Sequence, residues 1–395
     1  MDAFEVSAEL TRLILGADRL YRAGKAAGSD HLDREGLVPV HWSPLEPEHL
    51  DDWPEVIARL TALAARASRL PDPYQRDWLT EQSLAVANLA RWLSGEELSY
   101  EEVVAGTLRV DPRPPSRTAL AAARAARDLA LEAAGYDTFA AFRHDHLVSP
   151  GQVEEVAREL IAEGRARTER LLPGLRLRPD TIGTRVVTGT AFTAYCDYPG
   201  RAVWINADVP LTRPELKHLL AHEAYPGHDA HMAHRDALVS SGEMLPDGAL
   251  VVTNTASSVQ FEGIAERGLD LLGWREGPLD ALAWHHERLQ WLASIEVAHG
   301  VNTGRMSHAE AAAFLRDYCD GEEAWIDARL RFATHPLRAP FVYGYWWGGT
   351  VVGAWLRRVG ALRLRQAVSH LYDRLHSPST LAAHWHEEGE PLANR

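Results

Sequence analysis

Cysteine is scarce in this 395-residue chain: only Cys196 and Cys319 occur, far apart and without a Cys-x-x-Cys spacing. That argues against a disulfide framework and a thiolate metal site, and it suits a reducing, cytoplasmic setting. Basic charge is also short, with 41 Lys and Arg against 55 Asp and Glu and a formal net charge of −14. No basic stripe offsets this balance, so neither nucleic acid nor an anionic membrane surface is an expected partner. A run of about eighteen apolar residues is missing too, which excludes a membrane-spanning helix. The opening residues Met1-Asp2-Ala3-Phe4-Glu5-Val6 lack a basic stretch followed by an apolar one, so no secretory leader is expected. What is present, 46% hydrophobic residues, is enough for a large core or two associated lobes.

The first half carries helical signals. Residues 6–27, 54–70, 73–93, 116–134 and 153–172 are rich in Ala, Leu, Arg and Glu, with apolar positions recurring at three and four. Pro71-Asp72-Pro73 and Asp111-Pro112-Arg113-Pro114-Pro115 separate these elements, and no internal repeat is found. Between 181 and 210 the character changes to three short β-branched and aromatic runs, 185–188, 191–195 and 202–206, bounded by Gly and Pro. They predict one small antiparallel sheet with an edge strand. Helical signals then resume at 212–224, marked by Thr212 before Pro214-Glu215, and again at 254–272, 278–298, 307–318, 322–333 and 342–358. The expected fold is therefore mainly α: an N-terminal helical lobe over 1–175 and a metal-binding lobe over 176–395. These form one compact unit around a cleft, with the small sheet just ahead of the metal-binding helix.

The most informative stretch is His222-Glu223-Ala224-Tyr225-Pro226-Gly227-His228. In His-Glu-x-x-His zinc proteases the histidines lie four apart, so both imidazoles leave one helix face and the glutamate sits over the water the metal activates. Here they lie six apart, and at about 100° per residue an unbroken helix would turn the second about 120° away from the first. A shared ion thus requires an interrupted helix. Pro226 lacks an N–H and Gly227 tolerates unusual dihedrals, so this pair predicts the break. Downstream, Glu262 and Glu266 are four apart on one face of another helix, and a glutamate from a neighbouring helix completing two histidines is the pattern of zinc hydrolases. His218 and His222 form a competing pair that needs no bulge.

His-Glu-x-x-Pro-Gly-His followed some thirty residues later by Glu-Gly-x-Ala resembles the DUF885 family, which is similar to gluzincin metallopeptidases. The likeness runs from about Tyr198-Pro199-Gly200 to about Tyr345. It implies a gluzincin-like fold, with one Zn2+ per chain held by His222, His228 and Glu262, and Glu223 as general base. Glu262-Gly263-Ile264-Ala265 also resembles the Glu-Gly-Phe-Ala segment of M1-type aminopeptidases, whose glutamate is a third ligand. The chain departs from the family in three places. Asp229 stands where a histidine is usual, and Ala298-His299-Gly300-Val301-Asn302 replaces an Asp-Thr-Gly-x-His segment. Further on, Arg331-Phe332-Ala333-Thr334-His335-Pro336-Leu337-Arg338 replaces an Arg-Tyr-x-x-x-Pro-Gly-Gln segment, with Val342 at the following tyrosine position.

Tyr343 and Tyr345 are candidates to steady an oxyanion, because tyrosines do this in related zinc peptidases; packing against Trp346 and Trp347 is the alternative. Arg338 is a candidate clamp for a substrate carboxylate, and His299 and His335 are candidates to line the pocket, each against an ordinary structural role. His231 is expected beside the ligands and His234 toward solvent. The implied activity is zinc-dependent hydrolysis of a peptide or other amide bond in a small molecule or short peptide. Two further readings stay open: a 2-His-1-carboxylate iron(II) enzyme, and a catalytically silent relative that binds a ligand.

Overall fold

In the computed structural model, residues 2–25, 31–190, 192–360 and 363–384 are described. The chain is mainly α-helical, as its periodicity requires. The end of the 6–27 helical run and the first residue of the 191–195 strand run fall outside the described residues. The N-terminal helices Ala3–Ala23, Trp53–Ala67 and Pro73–Leu93 each begin at an aspartate, Asp2, Asp52 or Asp72, whose carboxylate accepts an otherwise unpaired N–H. They interlock through Leu10, Leu13, Leu60, Leu63 and Leu79, all buried, each contributing about 1.5–3 kcal/mol. Leu250, Val252, Leu337 and Leu375 belong to the same apolar cluster, so this core runs across position 175.

A second core surrounds the histidine motif. It joins the Val153–Leu171 helix to the sheet through Leu160, Ile161, Val203 and Ile205. It continues into the Arg213–Glu223 helix through Leu216 and Leu220 and into the C-terminal helices through Val352 and Tyr372. A third packs the long Gly277–Asn302 helix against His308–Cys319, Glu323–Thr334 and Val342–Val359.

The strands are β1 (Val40–His41), β2 (Gly183–Val187), β3 (Ala194–Asp197), β4 (Ala202–Asn206) and β5 (Leu250–Val251). The expected single antiparallel sheet is corrected in two respects. β1 and β5 form an antiparallel pair of their own, and the three-stranded sheet, ordered β2-β4-β3, is mixed. β3 turns back antiparallel onto β4, while β2 lies parallel to β4 with Gly183 opposite Ala202 and Val187 opposite Asn206. Side-chain alternation fixes which face is buried but carries no information on strand direction. β3 remains an edge strand beside the histidine motif, as anticipated.

Helix boundaries follow their caps. Thr212 and Glu215 form a reciprocal capping box at the start of Arg213–Glu223, and Ser307 and Glu310 another at His308–Cys319. The segment expected as one helix over 254–272 is shorter, Ser258–Glu266 followed by a turn into Gly268–Leu271. Asn254 sits at a left-handed φ of 54° with its amide donating to the Leu337 carbonyl, which holds residues 254–257 out of the helix.

Candidate metal centre

The helix carrying His222 ends at Glu223, and a new one, His228–Ser240, begins at the second histidine. The interruption that the six-residue spacing demands is present: Ala224 leaves helical dihedrals at φ −111°, ψ −86°, and Gly227 adopts φ −70°, ψ −131°. Gly227 is required here for close approach, not for a left-handed backbone. A Cβ on it would lie 1.8 Å from the His222 carbonyl oxygen. The break is held by Gly227 N–H donating to Ala221 O at 3.0 Å and by the Tyr372 hydroxyl donating to Pro226 O at 2.8 Å.

This folding brings the two imidazoles together, their centroids 4.6 Å apart and nearly perpendicular. Glu262 arrives from the Ser258–Glu266 helix. One donor atom from each of His222, His228 and Glu262 lies within 4.8 Å of the others, and all three residues are buried. Glu262 Oε2 stands 3.3 Å from His222 Nε2, and Oε1 stands 3.7 Å from His228 Nε2. These contacts do not close the site. Among the described residues Glu262 Oε2 and His228 Nδ1 have no hydrogen-bond partner, a costly state for buried polar atoms. Two neutral-capable imidazoles and a carboxylate with an unsatisfied oxygen form a donor set suited to a divalent zinc-like ion. Phe261, the neighbour of Glu262, stacks on His228 at 4.1 Å and fixes that ring. The helix is pressed inward by a glycine contact, since a Cβ on Gly263 would lie 2.5 Å from Gly348 O of the helix that also carries Tyr345.

Burial and mutual charge divide the protonation states. Burial pushes the Glu223 carboxyl up to about 7, aided by the charges of Glu262 and Glu266 and opposed by His222, while the Cys196 backbone N–H donates to it from β3. Burial disfavours the His222 cation, yet its contacts with Glu262 and Glu266 carry its pKa well above the usual range. Burial, reinforced by His222 and His231, holds His228 far below it, so His228 is neutral.

Glu266 has a part that helix periodicity did not assign. Instead of lying on an exposed face it is buried, with Oε1 3.3 Å from His222 Nδ1. That approach sets the His222 ring with Nδ1 toward Glu266 and Nε2 toward Glu262, while Glu266 Oε1 itself makes no hydrogen bond among the described residues. The signal was its four-residue spacing from Glu262. His218 does not share a site with His222 and His228; it belongs to a neighbouring cluster with Glu266 and Glu287.

The remaining candidates separate. Tyr345 lines the same cavity as His222, Glu223, His228 and Glu262, with its ring 6.3 Å from that of His222 and stacked on Trp291 at 4.1 Å. Tyr343 points the other way, buried in the third core with its hydroxyl donating to Pro112 O at 2.8 Å. Arg338 lines the cavity but donates to Glu35 and, at 2.9 Å, to Thr253 Oγ1. His299 is outside the cavity lining, bonded to Glu101 at 2.7 Å and to Arg305 at 2.9 Å. His335 is outside it as well, 3.2 Å from Asp33. His231 is buried against Phe261 and Tyr372. His234 does not face solvent: it is buried, accepts from the Arg176 N–H and meets Asp373 at 2.6 Å. Asp229 is engaged by Arg201 at 2.7 Å and takes no place in the cavity wall.

No family model matches the chain, and no curated protein matches it. Solved structures share its fold. A candidate lipoprotein from Colwellia psychrerythraea superposes with a TM-score of 0.56 at 15% identity, over 84% of this chain and 68% of that one. A candidate lipoprotein of unknown function from Shewanella oneidensis gives 0.50 at 14% identity, over 84% and 72%. At such identities the likeness concerns the fold alone. Among the described residues no helix is long and apolar enough to cross a membrane.

Proposed function

We propose that this protein is a zinc-dependent hydrolase of a peptide or other amide bond, acting on a small molecule or short peptide. The observation that carries the reading is the convergence of His222, His228 and Glu262 across a broken helix, with unsatisfied donor atoms and Glu223 alongside. The chemistry a zinc ion supplies at such a set is Lewis acidity, which acidifies water and polarises an amide carbonyl. Glu223 does the proton work: its carboxylate takes a proton from the attacking water and returns it to the departing nitrogen. A carboxyl pushed up to about 7 is suited to both transfers near neutral pH. Burial, together with the Glu262 charge, keeps the Tyr345 phenol protonated, so it serves as a donor to the developing oxyanion. Phe261, Trp291 and Phe341 wall the cavity with apolar surface and thin the water around these groups. The edge strand β3 lines the cavity through Ala194, Tyr195 and Cys196, and an extended substrate would lie along it ahead of Cys196, whose N–H is taken by Glu223 and whose carbonyl accepts from Tyr198 N–H.

The test is Glu223→Gln, which keeps shape and removes the base. One zinc per chain should remain by elemental analysis, while turnover of a library of short peptides and acyl-amino acids falls by about 10²-fold or more. Equal rates in both proteins would remove Glu223 from the chemistry. Zinc bound with no cleavage by either would leave a ligand-binding protein, and iron in place of zinc would favour the 2-His-1-carboxylate reading.

A further inference from the structure

Four arginines line the cavity, and three are already engaged. Arg143 donates to Pro210 O at 2.6 Å and pairs with Glu322 at 3.2 Å. Arg235 is held by the carbonyls of Gly248 and Leu250, and Arg338 by Glu35 and Thr253. Arg329 is the fourth. Among the described residues it makes no hydrogen bond and no ion pair, and its Nε is buried without a partner. Its neighbours are aromatic: the guanidinium lies 4.5 Å from the centroid of Trp291 and 5.4 Å from that of Trp325. Glu287 and Tyr345 influence it electrostatically without bonding it, and Glu287 is taken by His218.

Arg329 is a half-buried cation held on two indoles in a cavity wall, its Nε buried without a partner and its terminal nitrogens not bonded to protein among the described residues, which leaves its hydrogen-bonding edge open to a ligand. A planar carboxylate is the natural complement, because guanidinium and carboxylate match through two parallel hydrogen bonds. Arg329 lines the same cavity as His222, Glu223, His228 and Glu262. Arg329 packs on Trp291, Trp291 stacks on Tyr345, and Tyr345 stands beside His222.

We propose that Arg329 receives a free α-carboxylate of the substrate, so that the amide cleaved is that of an N-acyl amino acid or of the C-terminal residue of a short peptide. The substrate class rests on the hydrolase reading above; the carboxylate site rests on Arg329 itself. In the reaction the water oxygen bonds to the acyl carbon and the C–N bond breaks. Its electron pair and a proton go to nitrogen, and the amino acid is released with its carboxylate still at Arg329. Arg338, the residue the sequence suggested for this part, is occupied by Glu35.

The experiment titrates benzoylglycyl-phenylalanine and its C-terminal amide into zinc-loaded Glu223→Gln protein by calorimetry, with and without a second change at Arg329. The acid should bind about tenfold or more tighter than the amide, as expected for one charge-assisted pair. Arg329→Gln should reduce that preference to near unity without lowering Tm, Arg329→Lys should keep part of it, and Arg338→Gln should keep it whole. An undiminished preference in Arg329→Gln, equal binding of acid and amide, or binding of neither overturns the proposal. Hydrolysis of the same two compounds by protein with Glu223 intact reads the other conclusion separately. Acid-selective, Arg329-dependent binding without cleavage upholds the carboxylate site and sinks the hydrolase; cleavage of acid and amide with equal kcat/KM does the reverse.

Discussion

Two His–carboxylate clusters lie side by side in this protein, and they differ in whether their histidines are bonded on both ring nitrogens. In the first, His222, His228 and Glu262 approach one another, yet Glu262 Oε2 and His228 Nδ1 are left without partners. In the second, His218 Nδ1 meets Glu287 directly, and its Nε2 lies 3.4 Å from the Glu266 carbonyl. Both contain the residue types that bind metals. What separates them is the state of the histidines: His218 is met on both ring nitrogens, whereas His228 Nδ1 is left open beside the unpartnered Glu262 Oε2, and Glu266 Oε1 between the clusters is likewise unpartnered among the described residues. Glu266 stands between, with Oε1 beside His222 Nδ1. On this view the first cluster is the site and the second is its scaffold.

The largest effect should come from the ligands. His228→Ala is expected to strip zinc from the purified protein and abolish turnover, whereas His218→Ala should retain one zinc per chain by elemental analysis and lose thermal stability instead, since it leaves Glu287 without its buried partner. The opposite pattern would exchange the roles of the two clusters. Next comes the residue that joins them. Glu266→Gln should weaken zinc about 10- to 100-fold in a chelator competition, the range seen when a group that orients a ligand is altered. No change in affinity would mean that the Glu266–His222 contact does not position the imidazole.

A smaller effect is expected from Gly227→Ala, whose Cβ would meet the His222 carbonyl. The helix break must shift to admit it, so stability should fall by about 1–3 kcal/mol in denaturant unfolding, with zinc affinity falling alongside. Unchanged stability would show that the break is more pliable than its contacts suggest. The smallest is Tyr343→Phe, which loses one hydrogen bond to Pro112 O, worth about 1 kcal/mol, and should leave turnover intact. Tyr345→Phe at matched stability should slow turnover; if the two variants behave alike, the cavity is not where the chemistry occurs.

The approach of His222 to His228 was legible because its geometry is nearly local. His222 and His228 sit on either side of a Pro-Gly pair, and the angular mismatch of six residues makes the break a requirement for any shared ion. Helical spacing placed Glu262 and Glu266 on one face and the family resemblance singled out Glu262, while the β4 strand was legible from its β-branched and aromatic residues. What was not legible depends on contacts between distant parts of the chain. Arg338 reads as a free clamp until Glu35, more than three hundred residues away, is seen against it. Tyr343 and Tyr345 are two apart on one helix, so they leave it in different directions, and only packing decides which faces the cavity. Arg329 carried no motif at all; its interest lies in what fails to bond it. The parallel β2–β4 pairing was hidden for a related reason, since strand direction is settled by how β3 returns and not by the pattern of β2 itself.

The central claim, that the broken-helix cluster is the metal site, is tested most directly by anomalous diffraction at the zinc edge from crystals grown with zinc. The account predicts a single strong peak bounded by His222 Nε2, His228 and Glu262. A peak among His218, Glu266 and Glu287 with none at the first cluster, or no peak at either, would contradict it.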